Sequence, residues 1–399
     1  MPVMPVSKRM IELTEHASWI RKMFEEGMRL AAIHGIDKIF DLSIGNPNVD
    51  PPQEFQQVLE ELVGDRTPGI HGYMENAGYA ATRAAVAAHL SADQGVTLGA
   101  EHVVMTAGAG GALNVIFRTI IDPGEEVIVP RPYFVEYGNY LANHFGVLVP
   151  VDSAADFDLD LGAIERAIRP ATRAVLINSP NNPTGRIYPA ASLAALGRLL
   201  RRKSQELGRI IYLVSDEPYR RIVFDGNRVP STMAAYDDTL IAFSYSKELS
   251  LAGERIGYVA ANPACRGIDE LMPCLVLANR VLGFINAPAL MQRVVARLQG
   301  VEVDVGLYQQ NRDLLYEALT SVGYEVPRPE GSFYMFPRSP LPDDLAFCAE
   351  MLEHLVLVTP GVGFGFPGYF RIAYCVERKT VEGALPAFRA VGQKYLRRP

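Results

Sequence analysis

Lys247 is held in the run Ser244-Tyr-Ser-Lys-Glu-Leu-Ser-Leu-Ala-Gly-Glu-Arg255-Ile-Gly. A primary amine in this setting can condense with an aldehyde, while the hydroxyls of Ser244 and Ser246 and the guanidinium of Arg255 can hold a phosphate. An aldehyde and a phosphate on one flat ring describe pyridoxal phosphate. Taken alone, a Ser-Lys pair is usually solvated surface, so the rest of the chain must decide.

Asp216, in Ser215-Asp-Glu-Pro-Tyr219, could salt-bridge a pyridine nitrogen, keep it protonated and so make the ring an electron sink. Tyr219 could then hydrogen-bond the ring oxygen. The competing reading of Asp216 is a helix cap. Asn182, in Asn178-Ser-Pro-Asn-Asn-Pro-Thr-Gly185, can donate an amide hydrogen bond to a planar oxygen, or stand in a plain strand-to-helix turn. Small residues from Thr106 to Ala112 let backbone amides approach a phosphate at a helix N-terminus. A dinucleotide fingerprint from Gly108 would need glycine where Leu113 stands. The aromatics of Pro132-Tyr-Phe-Val-Glu-Tyr137 can cover a flat cofactor or pack in the core.

Positioning these groups requires a sheet. Val103–Met105, Glu126–Val129, Arg173–Ile177, Ile210–Val214 and Thr239–Phe243 read as buried strands. Helix candidates at 111–120, 135–144, 160–168 and 189–207 alternate with them. The pattern predicts an α/β fold, a large domain over 41–287 with a mostly parallel central sheet flanked by helices. Asn182, Asp216 and Lys247 each follow a successive strand, and ligands of such sheets collect at the carboxyl ends of strands. A helical stretch over 289–322, then short strands near 333–336 and 369–373, predict a smaller α+β domain from 288–399. Residues 1–40, with a helix over about 16–34, are expected to join it.

The chain has 399 residues, 49% of them hydrophobic and 21% charged, with a formal charge of −7. An acidic balance without a concentrated basic face argues against nucleic-acid binding. Four cysteines without Cys-x-x-Cys spacing fit free thiols in a reducing compartment, not a zinc site, and no metal is expected. The apolar stretch 271–291 is interrupted by Pro273, Asn279, Arg280 and Pro288, so it does not read as a membrane span. No signal-peptide pattern opens the sequence, and a cytoplasmic setting is expected.

In their order over nearly the whole chain, Asn182-Pro-Thr-Gly185, Asp216-x-x-Tyr219 and Ser246-Lys247 with Arg255 resemble the motifs of class I/II aminotransferases. These are fold-type I pyridoxal-phosphate enzymes of the aspartate aminotransferase superfamily. The resemblance implies that Lys247 carries the cofactor as a Schiff base and that Asp216 partners the pyridine nitrogen. Asn182 and Tyr219 would contact the ring hydroxyl, and Phe134 would stack on the ring. Ser244, Ser246, Arg255 and the amides of Ala109 and Gly110 would bind the phosphate. Tyr73 would reach the phosphate from a neighbouring subunit, implying a homodimer. Arg371 would bind the substrate α-carboxylate, with Gly45 as the backbone stop over the substrate.

The activity so implied is transfer of an amino group between an L-amino acid and a 2-oxo acid, with glutamate and 2-oxoglutarate as one pair by family habit. The freed Lys247 amine would shuttle the proton from the α-carbon. Two departures stand out: Gly108–Gly111 lacks the lysine by which some relatives recognise aspartate, and Glu248 directly follows the lysine. A C–S β-lyase on the same fold is the nearest alternative, and a non-catalytic module on this fold a more distant one.

Overall fold

The computed structural model describes residues 6–15 and 19–396. The described residues divide into two compact units: those within 46–309 and 329–333, and those within 1–45, 310–328 and 334–399.

The larger unit is built on a seven-stranded sheet. Its strands are β1 (Val103–Thr106), β2 (Glu126–Arg131), β3 (Val147–Asp152), β4 (Thr172–Asn178), β5 (Tyr212–Asp216), β6 (Thr239–Ser244) and β7 (Gly257–Ala261). Their order is β1-β7-β6-β5-β4-β2-β3, parallel throughout except that β7 runs against both neighbours. The helices that matter for packing are α1 (Ala80–Gln94), α2 (Gly108–Ile120), α3 (Glu136–Ala142), α4 (Ala190–Leu207), α5 (Ile268–Val281) and α6 (Ala289–Arg297).

Strands covered on both faces need apolar side chains at every position, which explains the unbroken Val, Ile and Leu runs. Successive residues then serve opposite faces. Val104, Val129, Leu176 and Val214 pack on α2 and α5 through Leu113, Ile116 and Leu275. Val175, Ile177 and Leu213 pack on α4 through Leu193, Leu196 and Leu200. Val103, Met105 and Ile241 meet Val86 and Leu90 of α1 and Val294 of α6.

Register fixes which residues meet at the functional edge. Asn178 lies opposite Asp216 and Asp216 opposite Ala242. Gly257 lies opposite both Ser244 and Thr106. The carboxyl ends of β1, β4, β5 and β6 and the start of the reversed β7 therefore share one edge.

The single helical stretch expected over 289–322 is two helices, α6 and Gly306–Val322. Between them Gly300 has φ of +83°, and the amide of Val303 donates to the carbonyl of Glu248 at 2.8 Å. Left-handed backbone and a long-range hydrogen bond end the first helix there.

In the smaller unit, Phe40–Asp41 pairs in parallel with Val356–Leu357. A three-stranded antiparallel sheet sets Phe370–Ala373 between Thr359–Pro360 and Tyr334–Met335. Helices Trp19–His34, Asp344–Glu353 and Arg378–Tyr395 belong to this unit. Asp343 starts the second of these by accepting from the amides of Leu345 and Ala346. The helix expected from His16 is described from Trp19; residues 16–18 lie outside the described residues.

Candidate active site

Lys247 sits in a four-residue helical turn, Tyr245–Glu248, directly after β6. Its Nζ lies 5.3 Å from the centroid of the Phe333 ring. Tyr219 meets the same ring edge-on at 5.4 Å. Phe333 thus braces both the amine and the phenol, a role its sequence context did not signal.

Asp216, the last residue of β5, is buried. Its Oδ2 accepts from the Tyr137 hydroxyl at 2.6 Å and lies 3.5 Å from Asn178 Nδ2, while Oδ1 has no hydrogen-bond partner among the described residues. Burial pushes its carboxyl up to about 7, against the Tyr137 hydrogen bond and with some help from the adjacent Glu217 charge. A buried carboxylate with one satisfied oxygen suits a cationic N–H donor, which would restore its acidity. The competing reading of Asp216 as a helix cap finds no support, since the residue closes a strand and no helix follows it directly.

Asn178 organises the neighbouring turn. Its Nδ2 donates to the Asp216 carbonyl at 2.9 Å and its Oδ1 accepts the Asn182 amide at 2.7 Å. Asn182 is itself buried, with Asn181 and Thr184 hydrogen-bonded beside it. The aromatic run after β2 supplies Tyr137, and Phe134 meets it edge-on at 5.6 Å. Phe134 is only half-buried, which leaves ring surface for a flat partner.

Groups able to bind an anion gather where β1, β6 and β7 meet. Ser244 caps the lysine turn by accepting the Ser246 amide, and the two hydroxyl oxygens are 2.6 Å apart. Arg255 donates to Ser246 Oγ at 3.4 Å and to the Ala252 carbonyl at 2.9 Å. Gly108, at φ +70°, opens α2; a Cβ there would come within 2.8 Å of Arg255 Nη2. Ala109 and Gly110 follow in the first turn of α2, where amides lack intrahelical acceptors. Two hydroxyls, a guanidinium and a helix N-terminus make a site for a dianion.

These residues fit pyridoxal phosphate: an anion cradle, an amine, an aromatic ring and an open carboxylate oxygen stand on adjoining strands of one sheet edge. This edge brings together the candidates Lys247, Asp216, Tyr219, Asn182, Ser244, Ser246, Arg255, Phe134 and the loop of Ala109 and Gly110. Sequence reasoning missed Tyr137, Asn178 and Phe333. Tyr137 was visible as an aromatic in a suspect run, without a partner.

The remaining site candidates are described within their own units. Tyr73 belongs to the larger unit and is 91% exposed. Arg371 belongs to the smaller one and is 1% exposed. Its guanidinium is sandwiched by the rings of Tyr334 at 4.4 Å and Phe364 at 4.8 Å, and Nη2 donates to the Ser43 carbonyl at 2.5 Å. Gly45 packs on the same Tyr334: a Cβ at this position would lie 1.8 Å from its hydroxyl. Among the described residues no cluster of three His, Cys, Asp or Glu could hold a metal ion, and no helix is long and apolar enough to cross a membrane.

Comparison with known proteins agrees with this chemistry. The model of the family "Aminotransferase class I and II" matches residues 37–388. An aspartate/prephenate aminotransferase of Thermus thermophilus is 32% identical over 369 residues, 90% of this chain and 91% of that one. An amino transferase from Eubacterium rectale, of solved structure, superposes with a TM-score of 0.95 at 41% identity, covering 99% of this chain and all of its own. The aspartate aminotransferase of Thermus thermophilus solved with maleate gives 0.87 at 28% identity, covering 98% of this chain.

Proposed function

The chain belongs to the class I and II aminotransferases, pyridoxal-phosphate enzymes of fold type I, and on that premise we propose how its own residues divide the work. Bound pyridoxal phosphate supplies an electron sink for negative charge at the substrate α-carbon. Lys247 would anchor the cofactor through its amine and, once displaced, would take the proton from the substrate α-carbon as a general base and deliver it as an acid to the carbon that carried the cofactor aldehyde. Asp216 holds the pyridine nitrogen protonated through its open Oδ1. Tyr219 and Asn182 hydrogen-bond the ring oxygen, and Phe134 covers one ring face. Ser244, Ser246, Arg255 and the amides of Ala109 and Gly110 bind the phosphate. Arg371 binds the substrate α-carboxylate, and Gly45 bounds the substrate.

The observation that carries this reading is the buried Asp216 carboxylate, one oxygen satisfied by Tyr137 and the other open, one strand away from the lysine turn. Glutamate and 2-oxoglutarate serve as one substrate pair. One relative is named for aspartate and prephenate; the first turn of α2 has no lysine, so the second carboxylate of aspartate or of glutamate requires another cation. The active form is a homodimer in which Tyr73, exposed in the single chain, reaches the neighbouring phosphate.

Complementation tests both parts together. Lys247→Ala abolishes turnover and the visible absorption of the bound cofactor, and Tyr73→Ala impairs it. Equal mixing of the two variants under subunit exchange should restore about a quarter of the native sites, because half the dimers are hybrids with one intact site. A Lys247→Ala protein that kept turnover would remove the assignment of the amine. A mixture no more active than its components would remove the shared site.

A further inference from the structure

Glu217 follows Asp216 in the chain, yet its side chain serves the opposite face of the sheet and is 1% exposed. Four donors converge on it. Oε1 accepts from Ser215 Oγ at 2.7 Å and Thr232 Oγ1 at 3.0 Å; Oε2 accepts from Arg220 Nη1 at 3.0 Å and Gln94 Nε2 at 3.2 Å. Arg220, also buried, donates further to the carbonyls of Asp93 at 3.2 Å and Val229 at 3.1 Å. Its Nε pairs with the Asp93 carboxylate at 3.5 Å, which also binds Arg221 at 2.7 Å. Asp93 and Gln94 are the last two residues of α1, where two guanidinium groups complement the negative end of the helix.

A buried ion pair is weak support for stability by itself, because desolvation consumes most of the attraction. Its geometry matters more here. The pair closes a turn between residues 217 and 220, and that turn carries Tyr219 in its middle and Asp216 at its root. Each Glu217 oxygen accepts two donors, and these bonds tie the turn to the end of α1.

The geometry points to Glu217 and Arg220 as positioning residues, which fix the 216–219 turn on the end of α1 so that Asp216 and Tyr219 meet the cofactor ring. Arg220 has a second effect: it compensates a carboxylate adjacent to Asp216, whose bare charge would oppose a charge on Asp216. This inference rests on the assignment of Asp216 and Tyr219 to the cofactor ring.

The test is equilibrium titration of cofactor-free protein with pyridoxal phosphate, read by the visible absorption band and accompanied by thermal unfolding of each variant. Arg220→Gln leaves Glu217 buried and uncompensated, and should raise the cofactor dissociation constant about tenfold or more. The double variant Glu217→Gln with Arg220→Gln removes both charges, and should return to within about threefold of the parent. Affinity lost in Arg220→Gln beyond what its thermal shift accounts for, with an altered absorption band, separates positioning from a merely structural contact.

Should Arg220→Gln fail to fold, Asp93→Asn serves in its place. It withdraws the outer partner of Arg220 at a partly exposed position, and should weaken the cofactor in the same direction with an altered band. Unchanged cofactor affinity in whichever of these single variants folds overturns the inference, as does a double variant that regains thermal stability without regaining affinity. Asp216→Asn separates the two levels. If it loosens the cofactor while Arg220→Gln does not, the positioning role alone is lost. If neither does, the assignment of Asp216 goes and the inference goes with it.

Discussion

Tyr137 is the residue on which the acidity of Asp216 turns. Its hydroxyl is the strongest influence drawing the Asp216 carboxyl back down, against burial that pushes it up to about 7. A hydrogen bond to a charged group contributes about 1.5–3 kcal/mol. Tyr137→Phe should therefore raise the Asp216 carboxyl further and weaken cofactor binding about tenfold near neutral pH. Since a higher pH ionises Asp216 regardless, the loss should be larger at pH 6 than at pH 8. Titrations of cofactor-free protein at both pH values check this; an equal loss would mean that the hydroxyl acts only through packing. The residues gathered at the sheet edge were legible as candidates in the sequence, because an amine, a carboxylate and an amide each followed a strand-like run. Tyr137, Asn178 and Phe333 were not. Their significance lies in whom they touch, and those contacts join positions 79, 38 and 86 residues apart.

The first turn of α2 shows the same logic for a whole element. Gly108 opens the helix at φ +70°, and a Cβ there would press on the Arg255 guanidinium at 2.8 Å. Gly108→Ala should cost about 1–2 kcal/mol of stability for the left-handed backbone alone. It should also displace Arg255 and so weaken cofactor binding, which a Gly→Ala change elsewhere would not do. Denaturant unfolding and cofactor titration of the variant check the two effects; retained affinity would exclude the close approach as a functional constraint. The parallel strands were legible because burial on both faces forces continuous apolar runs such as Ala174–Ile177. The interruption after Arg297 was not, since the glycine at 300 ends a helix only in combination with Val303, whose amide is claimed by Glu248.

Glu248 matters at the scale of the whole molecule. Burial pushes its carboxyl up to about 8, opposed by Arg221 and Arg220 and assisted by Asp93 and Glu302. An unfolded glutamate releases its proton near about 4.3. Between that value and about 8 the folded chain binds a proton that the unfolded chain does not, so stability falls as pH rises through this window. The sign is opposite to that of a salt-bridged carboxylate. Asp216 acts in the same direction up to about 7 in the cofactor-free protein. Glu248→Gln should then gain on its parent more at pH 9 than at pH 5 when unfolding free energies of cofactor-free protein are measured in urea. A difference independent of pH would refute the account. The sequence marked Glu248 as unusual but could not show that its side chain is buried.

The reversed strand β7 has one more consequence. Because it runs against β6, residues 245–256 leave the sheet and return to it at the same edge: the Tyr245 amide donates to the Ile256 carbonyl at 3.1 Å, and Ser244 stands opposite Gly257. Lys247 and Arg255 are thus carried on one closed clasp, pinned at its base. The span from the amine to the guanidinium is set within this clasp, so small shifts between other strands leave it unaltered. Inserting a single residue into it would move one end of the cofactor's berth without the other.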